Sequence, residues 1–234
     1  TNKSIIELNI AGNSIGDQGV ICLSKILGSN ESIRLLNLKL NSISSKGCKS
    51  IAKELSEKNN TLQNLDLSLN HIGISGFNEL GIMLANNTSI ISIDLPGNEC
   101  GGEAINAFFQ NIQLNQTLIH LDLSSNRLRS AGSSIGEWLS KTETKLKYLF
   151  LNQNGLKDRE LISLCSSLKP NNTLQKLHLN HNFFSISGSL AVSELIQINS
   201  SIKEISLLNN RFESDSHRAL EEAMVRNQSV LVLH

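Results

Sequence analysis

The sequence has no net charge: 21 Lys and Arg balance 21 Asp and Glu in 234 residues. A nucleic-acid groove needs a basic excess, so that class of function is set aside first. Aromatics are scarce, at 4% of residues, and charged residues make up 18%. Such a composition would suit a disordered chain, except that 38 Leu and 25 Ile supply ample apolar surface for a core. The four cysteines, Cys22, Cys48, Cys100 and Cys165, are widely separated and form no C-x-x-C pair. This spacing excludes a zinc site of the common kind and a dense disulfide framework, and it favours a reducing compartment. No apolar run reaches the length of a membrane span, and the opening TNKSIIELNI has neither a basic nor an apolar targeting segment. What is abundant is Asn and Ser, 28 and 33 residues, which ordinarily mark turns.

That abundance is periodic. The frame L-x-x-L-x-L-x-x-N, with Leu or Ile at the apolar positions, recurs eight times, ending at Asn13, Asn41, Asn70, Asn98, Asn126, Asn154, Asn182 and Asn210. Successive asparagines are 28 residues apart, except for one step of 29 between Asn41 and Asn70. After each Asn comes an apolar residue two positions on, then usually a glycine four later, then apolar residues at helical spacing such as Leu23 with Leu27 and Leu80 with Leu84. Each unit therefore reads as strand, turn and helix. One such unit cannot bury both of its apolar faces, so units must stack, with parallel strands side by side and helices behind them.

The 28-residue period and its motif resemble the ribonuclease-inhibitor-like class of leucine-rich repeats over residues 5–229. The expected fold is an α/β leucine-rich repeat solenoid, a right-handed horseshoe with a parallel concave sheet and convex helices. A single domain over residues 1–234 divides into repeats 5–32, 33–61, 62–89, 90–117, 118–145, 146–173, 174–201 and 202–229. Residues 230–234 open a ninth. The chain begins without Met and stops inside a strand, so a larger parent protein, or a partner that covers the open edges, is expected.

Two asparagine columns are expected to be architectural. The ladder ending each frame sits where the loop leaves the strand and satisfies inward-facing backbone groups. A second column falls in N-x-S/T just before each strand: Asn2, Asn30, Asn59, Asn87, Asn115, Asn171, Asn199 and Asn227. These match the glycosylation sequon, but their constant phase favours a helix-terminating role in the left-handed conformation. Repeat five lacks this Asn, reading Lys141-Thr-Glu-Thr-Lys145 instead, and its helical apolar positions fall one residue early, so a local distortion is expected. Trp138 in that helix is a candidate for packing against its neighbour or for a convex contact. Pro96, just past a strand core, sits where proline is tolerated.

Alternation along each strand sends the variable positions to the concave face. One column there contains Asp66, Asp94 and Asp122, a ladder of like charges that suits a cationic partner or is ordinary for such repeats. Beside it, Tyr148 and Phe150 share a strand, Lys176 and His178 occupy the next, and His120 precedes them, with His181 and Phe183 at the rim. Exposed aromatics among cations mark the centre of an interface or a cluster that packs on itself. His120, Asp122 and Ser124 are the triad residue types in the wrong order, since the histidine must lie between the other two. His178 and His181 point to different faces, and the nearest carboxylate column is taken to be that of Asp122, two strands away, so no metal is expected.

The leading expectation is a non-catalytic protein-interaction scaffold. Its concave-face residues would be Tyr148, Phe150, Lys176, His178, His181, Asp66, Asp94, Asp122 and His120. No cofactor, small-molecule substrate, nucleic acid or membrane partner is expected. Relatives with this repeat include ribonuclease inhibitors, innate immune receptors, tropomodulin-type actin cappers and bacterial effectors. The Asn, Ile, Lys and Ser bias fits an AT-rich genome, so an effector of an intracellular bacterium or a protozoan protein is expected, in its own or a host cytosol. One alternative is a GTPase-activating protein resembling the Ran regulators, with Arg127 and Arg129 in a suitable loop but no acidic tail. Another is a glycosylated extracellular recognition domain.

Overall fold

A computed structural model describes residues 2–141, 144–227 and 229–233, apart from the side chain of Glu103. Strands of two or three residues alternate with helices along the chain: β1 (Glu7–Asn9), α1 (Gly16–Leu27), β2 (Leu35–Asn37), α2 (Ser45–Glu57), β3 (Asn64–Asp66), α3 (Gly73–Asn86), β4 (Ser92–Asp94), α4 (Gly101–Asn111), β5 (His120–Asp122), α5 (Gly132–Leu139), β6 (Tyr148–Phe150), α6 (Asp158–Leu168), β7 (Lys176–His178), α7 (Ile186–Ile198), β8 (Glu204–Ser206), α8 (Ser214–Arg226) and β9 (Val232–Leu233). The nine strands form one parallel sheet in sequence order. Registers are exact equivalents from unit to unit, so His120 pairs with Tyr148, Tyr148 with Lys176 and Lys176 with Glu204. Strands sit about 4.8 Å apart whereas helices need roughly 8–10 Å, so the stack must curve with the sheet inside. The fold is an α/β solenoid.

Core residues follow the frame. Leu36, Leu65, Ile93, Leu121, Leu149, Leu177 and Ile205, each the middle residue of a strand, are at most 2% exposed, while their strand neighbours face out, mostly half-buried. Behind them, an aromatic spine runs through repeats three to five. The Phe77 and Phe108 ring centroids are 6.1 Å apart, those of Phe108 and Phe109 5.3 Å, and those of Phe109 and Trp138 5.4 Å. Trp138 is thus a core residue packed on the preceding helix and makes no convex contact; its indole N–H has no hydrogen-bond partner among the described residues. Repeat five does depart from its neighbours: α5 has eight residues against eleven to fourteen in the other helices. At its start, a Cβ on Gly132 would lie 2.6 Å from Glu160 Cα, so the backbones of α5 and α6 meet where no side chain fits. Thr142 and Glu143, in the loop expected to be distorted, lie outside the described residues.

The strand-end asparagines form a continuous ladder with one gap. Asn126 is fully buried, and its Nδ2 donates to the carbonyls of Leu95, Leu123 and Ser124 at 2.9, 3.0 and 3.1 Å. Its Oδ1 accepts the N–H of Asn98 at 2.9 Å. Asn41, Asn70, Asn182 and Asn210 likewise bond backbone groups of their own unit and the one before, while Asn154 bonds the Asn126 N–H and the Leu123 carbonyl of the unit before. Asn13, in the first unit, bonds Ile10 and Ala11 of its own. Asn98 alone breaks the series, since its Oδ1 is buried without a partner among the described residues.

The helix-end asparagines are structural, but the expected left-handed conformation is wrong. Asn87, Asn115, Asn199 and Asn227 have extended backbones, with φ of −79°, −68°, −80° and −109°. Each Oδ1 accepts the N–H groups two and three residues on, as Asn59 does from Thr61 at 3.0 Å and Leu62 at 2.9 Å. Each Nδ2 from Asn59 onward reaches back to the helix-end carbonyl of the preceding unit, as from Asn59 to Leu27 at 2.8 Å and from Asn87 to Leu55 at 2.8 Å. Asn30, Asn59, Asn87, Asn115, Asn171 and Asn199 are buried, so their amides are committed to the backbone and offer no site for a glycan on the folded chain, while Asn227 is half-buried and Asn2 exposed. The left-handed residues lie elsewhere, in the loops around each strand-end Asn, and the residue before it is always one: Gly12, Leu40, Leu69, Gly97, Ser125, Gln153, His181 and Asn209 have φ between 55° and 71°.

Candidate functional site

The last strand residue in each unit has a default use. Asn9, Asn37, Asp66 and Asp122 each accept, through the side chain, the N–H two residues on, from Ala11 at 3.1 Å, Lys39 at 2.9 Å, Ser68 at 2.8 Å and Ser124 at 2.8 Å. These Asx turns tie the side chain down to its own loop. Asp94 cannot make one, because the residue two on is Pro96, which has no N–H. Released from its loop, the Asp94 carboxylate accepts from His120 Nε2 on the next strand at 2.8 Å.

From His120 the chain of contacts continues along the sheet. Its imidazole lies 5.1 Å from the Phe150 ring and 6.4 Å from Tyr148, centroid to centroid. Phe150 in turn meets His178 edge-on at 4.7 Å. His178 Nε2 then bonds Glu204 Oε1 at 2.7 Å, and Lys176 Nζ reaches the other oxygen, Oε2, at 2.6 Å. The result is a band of four half-buried rings with a carboxylate-held histidine at each end. Hydrogen bonds from Lys176, then from His178, hold the Glu204 carboxyl below its usual range, and the same contact raises Lys176. Asp122, beside this band, moves the other way. Burial pushes its carboxyl up, against the Ser124 hydrogen bonds, and the neighbouring Asp94 charge adds to the rise.

Of the residues singled out from sequence, the sheet brings together Asp94, His120, Tyr148, Phe150, Lys176 and His178. Asp66 and Asp122 flank Asp94 in register but are engaged with Ser68 and Ser124. His181 does not join the band: it sits left-handed on the rim, 3.1 Å from Asn209 Nδ2. The expectation that the carboxylate nearest His178 is two strands away is corrected, since Glu204 on the adjacent strand touches it. Glu204 is the residue the sequence reading missed. The signal that finds it is a diagonal offset of 26 residues, which also joins Asp94 to His120. Among the described residues, no three His, Cys, Asp or Glu side chains converge on a metal-sized site.

Comparisons with known proteins agree with this architecture. A family model described as Leucine Rich repeat matches residues 1–24, 29–52, 58–76 and 114–132. The mouse protein "NACHT, LRR and PYD domains-containing protein 12" is 36% identical over 88 residues, which is 37% of this chain and 8% of that protein. "Rho GTPase-activating protein gacW" of Dictyostelium discoideum is 34% identical over 71 residues, 30% of this chain and 6% of that protein. The chain thus spans less than a tenth of the length of these two relatives. Among solved structures, the tropomodulin C-terminal domain of Caenorhabditis elegans superposes with a TM-score of 0.50 at 11% identity, covering 73% of this chain and 86% of that one. Leiomodin-1 actin-binding site 2 gives 0.49 at 22%, covering 51% and 70%. The period, the parallel sheet of in-register strands and the Leucine Rich repeat matches converge: the chain is built of leucine-rich repeats.

Proposed function

We propose that this chain is a non-catalytic scaffold that grips a protein partner on its sheet face, centred on Tyr148 and Phe150. One observation carries the reading: the His120, Tyr148, Phe150 and His178 rings form a continuous half-buried band on the sheet surface, anchored at both ends by Asp94 and Glu204. Rigid aromatic area flanked by held charges is the composition of an interface centre. On this reading the site of action is the cytosol, the cell's own or a host's. Free thiols support it: Cys48, Cys100 and Cys165 are buried unpaired, and burial raises all three, Cys165 to about 12. Affinity capture with wild type and with Tyr148→Ala/Phe150→Ala tests the reading, each captured protein then being titrated against both. A tenfold or greater loss of affinity in the variant is expected, and equal affinity for every captured partner overturns the assigned centre.

A second reading is GTPase activation, favoured by the match to the Rho GTPase-activating protein and by exposed Arg127 and Arg129 on the rim. The shared segment is only 6% of that relative. Single-turnover GTP hydrolysis by Rho-type and Ran-type GTPases, with and without this chain, decides it; unchanged rates remove the reading.

A further inference from the structure

The loops on the rim change sign midway along the stack. At the position after each strand-end Asn, the first four units carry Ser14, Ser42, His71 and Glu99, and the next four carry Arg127, Gly155, Phe183 and Arg211. Two residues further on, units five and six add Arg129 and Lys157 in place of Gly73 and Gly101. Arg129, Gly155, Lys157, Arg159, Glu160 and Phe183 line a cleft of about 450 Å³. Gly155 lies between the Arg129 and Phe183 side chains. A Cβ there would lie 3.6 Å from Arg129 Cγ and 3.7 Å from Phe183 Cε2, so a methylene group fits between the arginine stem and the ring. Arg211 lies over Phe183 at 4.5 Å from its centroid, and a parallel bridge between Lys157 and Phe183 fixes the two loops against each other. Among the described residues, no carboxylate lies within salt-bridge distance of Arg127, Arg129, Lys157, Arg159 or Arg211. Glu160 Oε2 accepts the Lys157 N–H at 3.1 Å, and Asp158 is occupied by Ser185 and Gly188.

We propose that this rim cleft docks an acidic peptide segment of the protein partner, with a Glu or Asp side chain over Gly155 and its carboxylate held by Arg129 and Arg159. The proposal rests on the scaffold reading and adds the partner's charge. Guanidinium groups suit a carboxylate because they offer paired N–H donors to its two oxygens, and here Arg129 on its loop and Arg159 in the first turn of α6 line one cleft. A polyanion such as RNA is disfavoured because Asp94, Asp122 and Glu204 line the adjoining sheet, where its backbone would have to run.

Fluorescence anisotropy of the intact chain with fluorescein-labelled hexaglutamate, at low and moderate salt, tests it. Wild type is expected to bind this peptide and not labelled hexaglutamine. Arg129→Glu/Arg159→Glu should weaken binding at least tenfold. Gly155→Glu should do the same. It copies Glu99, which holds the same position with φ of 58° against 68° at Gly155, so the backbone strain it adds is one the fold already carries in the fourth unit. Circular dichroism confirms that each variant is folded. Tyr148→Ala/Phe150→Ala should bind hexaglutamate as wild type does, which separates this site from the sheet-face centre. Absence of peptide binding at low salt, equal binding by the charge-reversed variant, loss confined to the Tyr148/Phe150 variant, or tighter binding of single-stranded RNA would each overturn the proposal.

Discussion

Repeats one to four and repeats five to eight share one backbone plan and offer different surfaces. In the first half, the sheet-face Asn9, Asn37 and Asp66 are turned back on their own loops, with Asp94 the exception, and the rim carries Ser14, Ser42, His71 and Glu99. In the second half, Asp122 still turns back on its loop, but the equivalent Phe150, His178 and Ser206 make no bond to their own loop and contact neighbouring units instead. A polar side chain consumed by its own turn has little left for a partner. The architecture is therefore carried by positions whose hydrogen bonds point inward, and the recognition capacity by positions where that inward bond is missing.

The shared plan breaks most severely at its asparagine ladder. Asn126→Ala removes four hydrogen bonds from a fully buried position and orphans the backbone groups that made them, which should cost about 2–4 kcal/mol. Asn98→Ala should cost less, because its Oδ1 satisfies nothing in the described chain and only its amide donors are lost. Urea midpoints of the two variants check the order. Equal losses would mean that the Oδ1 rung between units contributes nothing.

How far this division was visible in the sequence depends on what each residue bonds. The strand-end ladder was legible because Asn recurs at a fixed place beside three apolar positions, and the fold follows from that frame alone. The helix-end column was recognised as architecture, but its backbone was misjudged. Asn serves equally in a left-handed cap and in an Asx turn, and only the buried helix-end carbonyl of the preceding unit, which its Nδ2 meets, selects the second. His181, expected at the rim, lies there, and its left-handed backbone sets it against Asn209 and not in the ring band. Glu204 escaped because columns compare residues 28 apart, while ion pairs on this sheet run diagonally at 26.

Two carboxylates on the sheet face sharpen the comparison in opposite directions. Asp122 pairs in register with Asp94, and cross-strand like charges cost roughly 0.2–1 kcal/mol. Asp122→Asn keeps the turn bond that Asn9 and Asn37 make and should stabilise the chain by about that amount at neutral pH. The folded carboxyl lies above its unfolded value, so wild-type stability falls as pH rises through this range. The gain in the variant should therefore grow with pH and vanish in acid. Glu204 is lowered instead, so its contribution is present above the unfolded carboxylate range and is lost as pH falls through the folded value. Glu204→Gln should cost at most about 1 kcal/mol at neutral pH, with the difference closing in acid. Thermal midpoints of both variants between acid and neutral pH test the two signs together.

The smallest expected effect concerns the hinge between the halves. Pro96 is the reason Asp94 belongs to the aromatic band and not to its own loop, since the four sister turns at Ala11, Lys39, Ser68 and Ser124 all supply the N–H that proline lacks. Pro96→Ser restores that donor at a place where Ser68 and Ser124 already show that serine fits. The Asp94 carboxylate should then accept from its own loop, and His120 should lose its 2.8 Å partner. Stability should change by no more than about 1 kcal/mol, because one hydrogen bond replaces another. The readout is local: in nitrogen-edited NMR the His120 Nε2–H should lose its hydrogen-bonded downfield position and exchange faster with water, while the His178 signal, held by Glu204, stays in place. An unchanged His120 signal would show that Asp94 prefers the histidine even when its own loop offers a donor. The first half of the sheet would then be kept from recognition by something other than its turns.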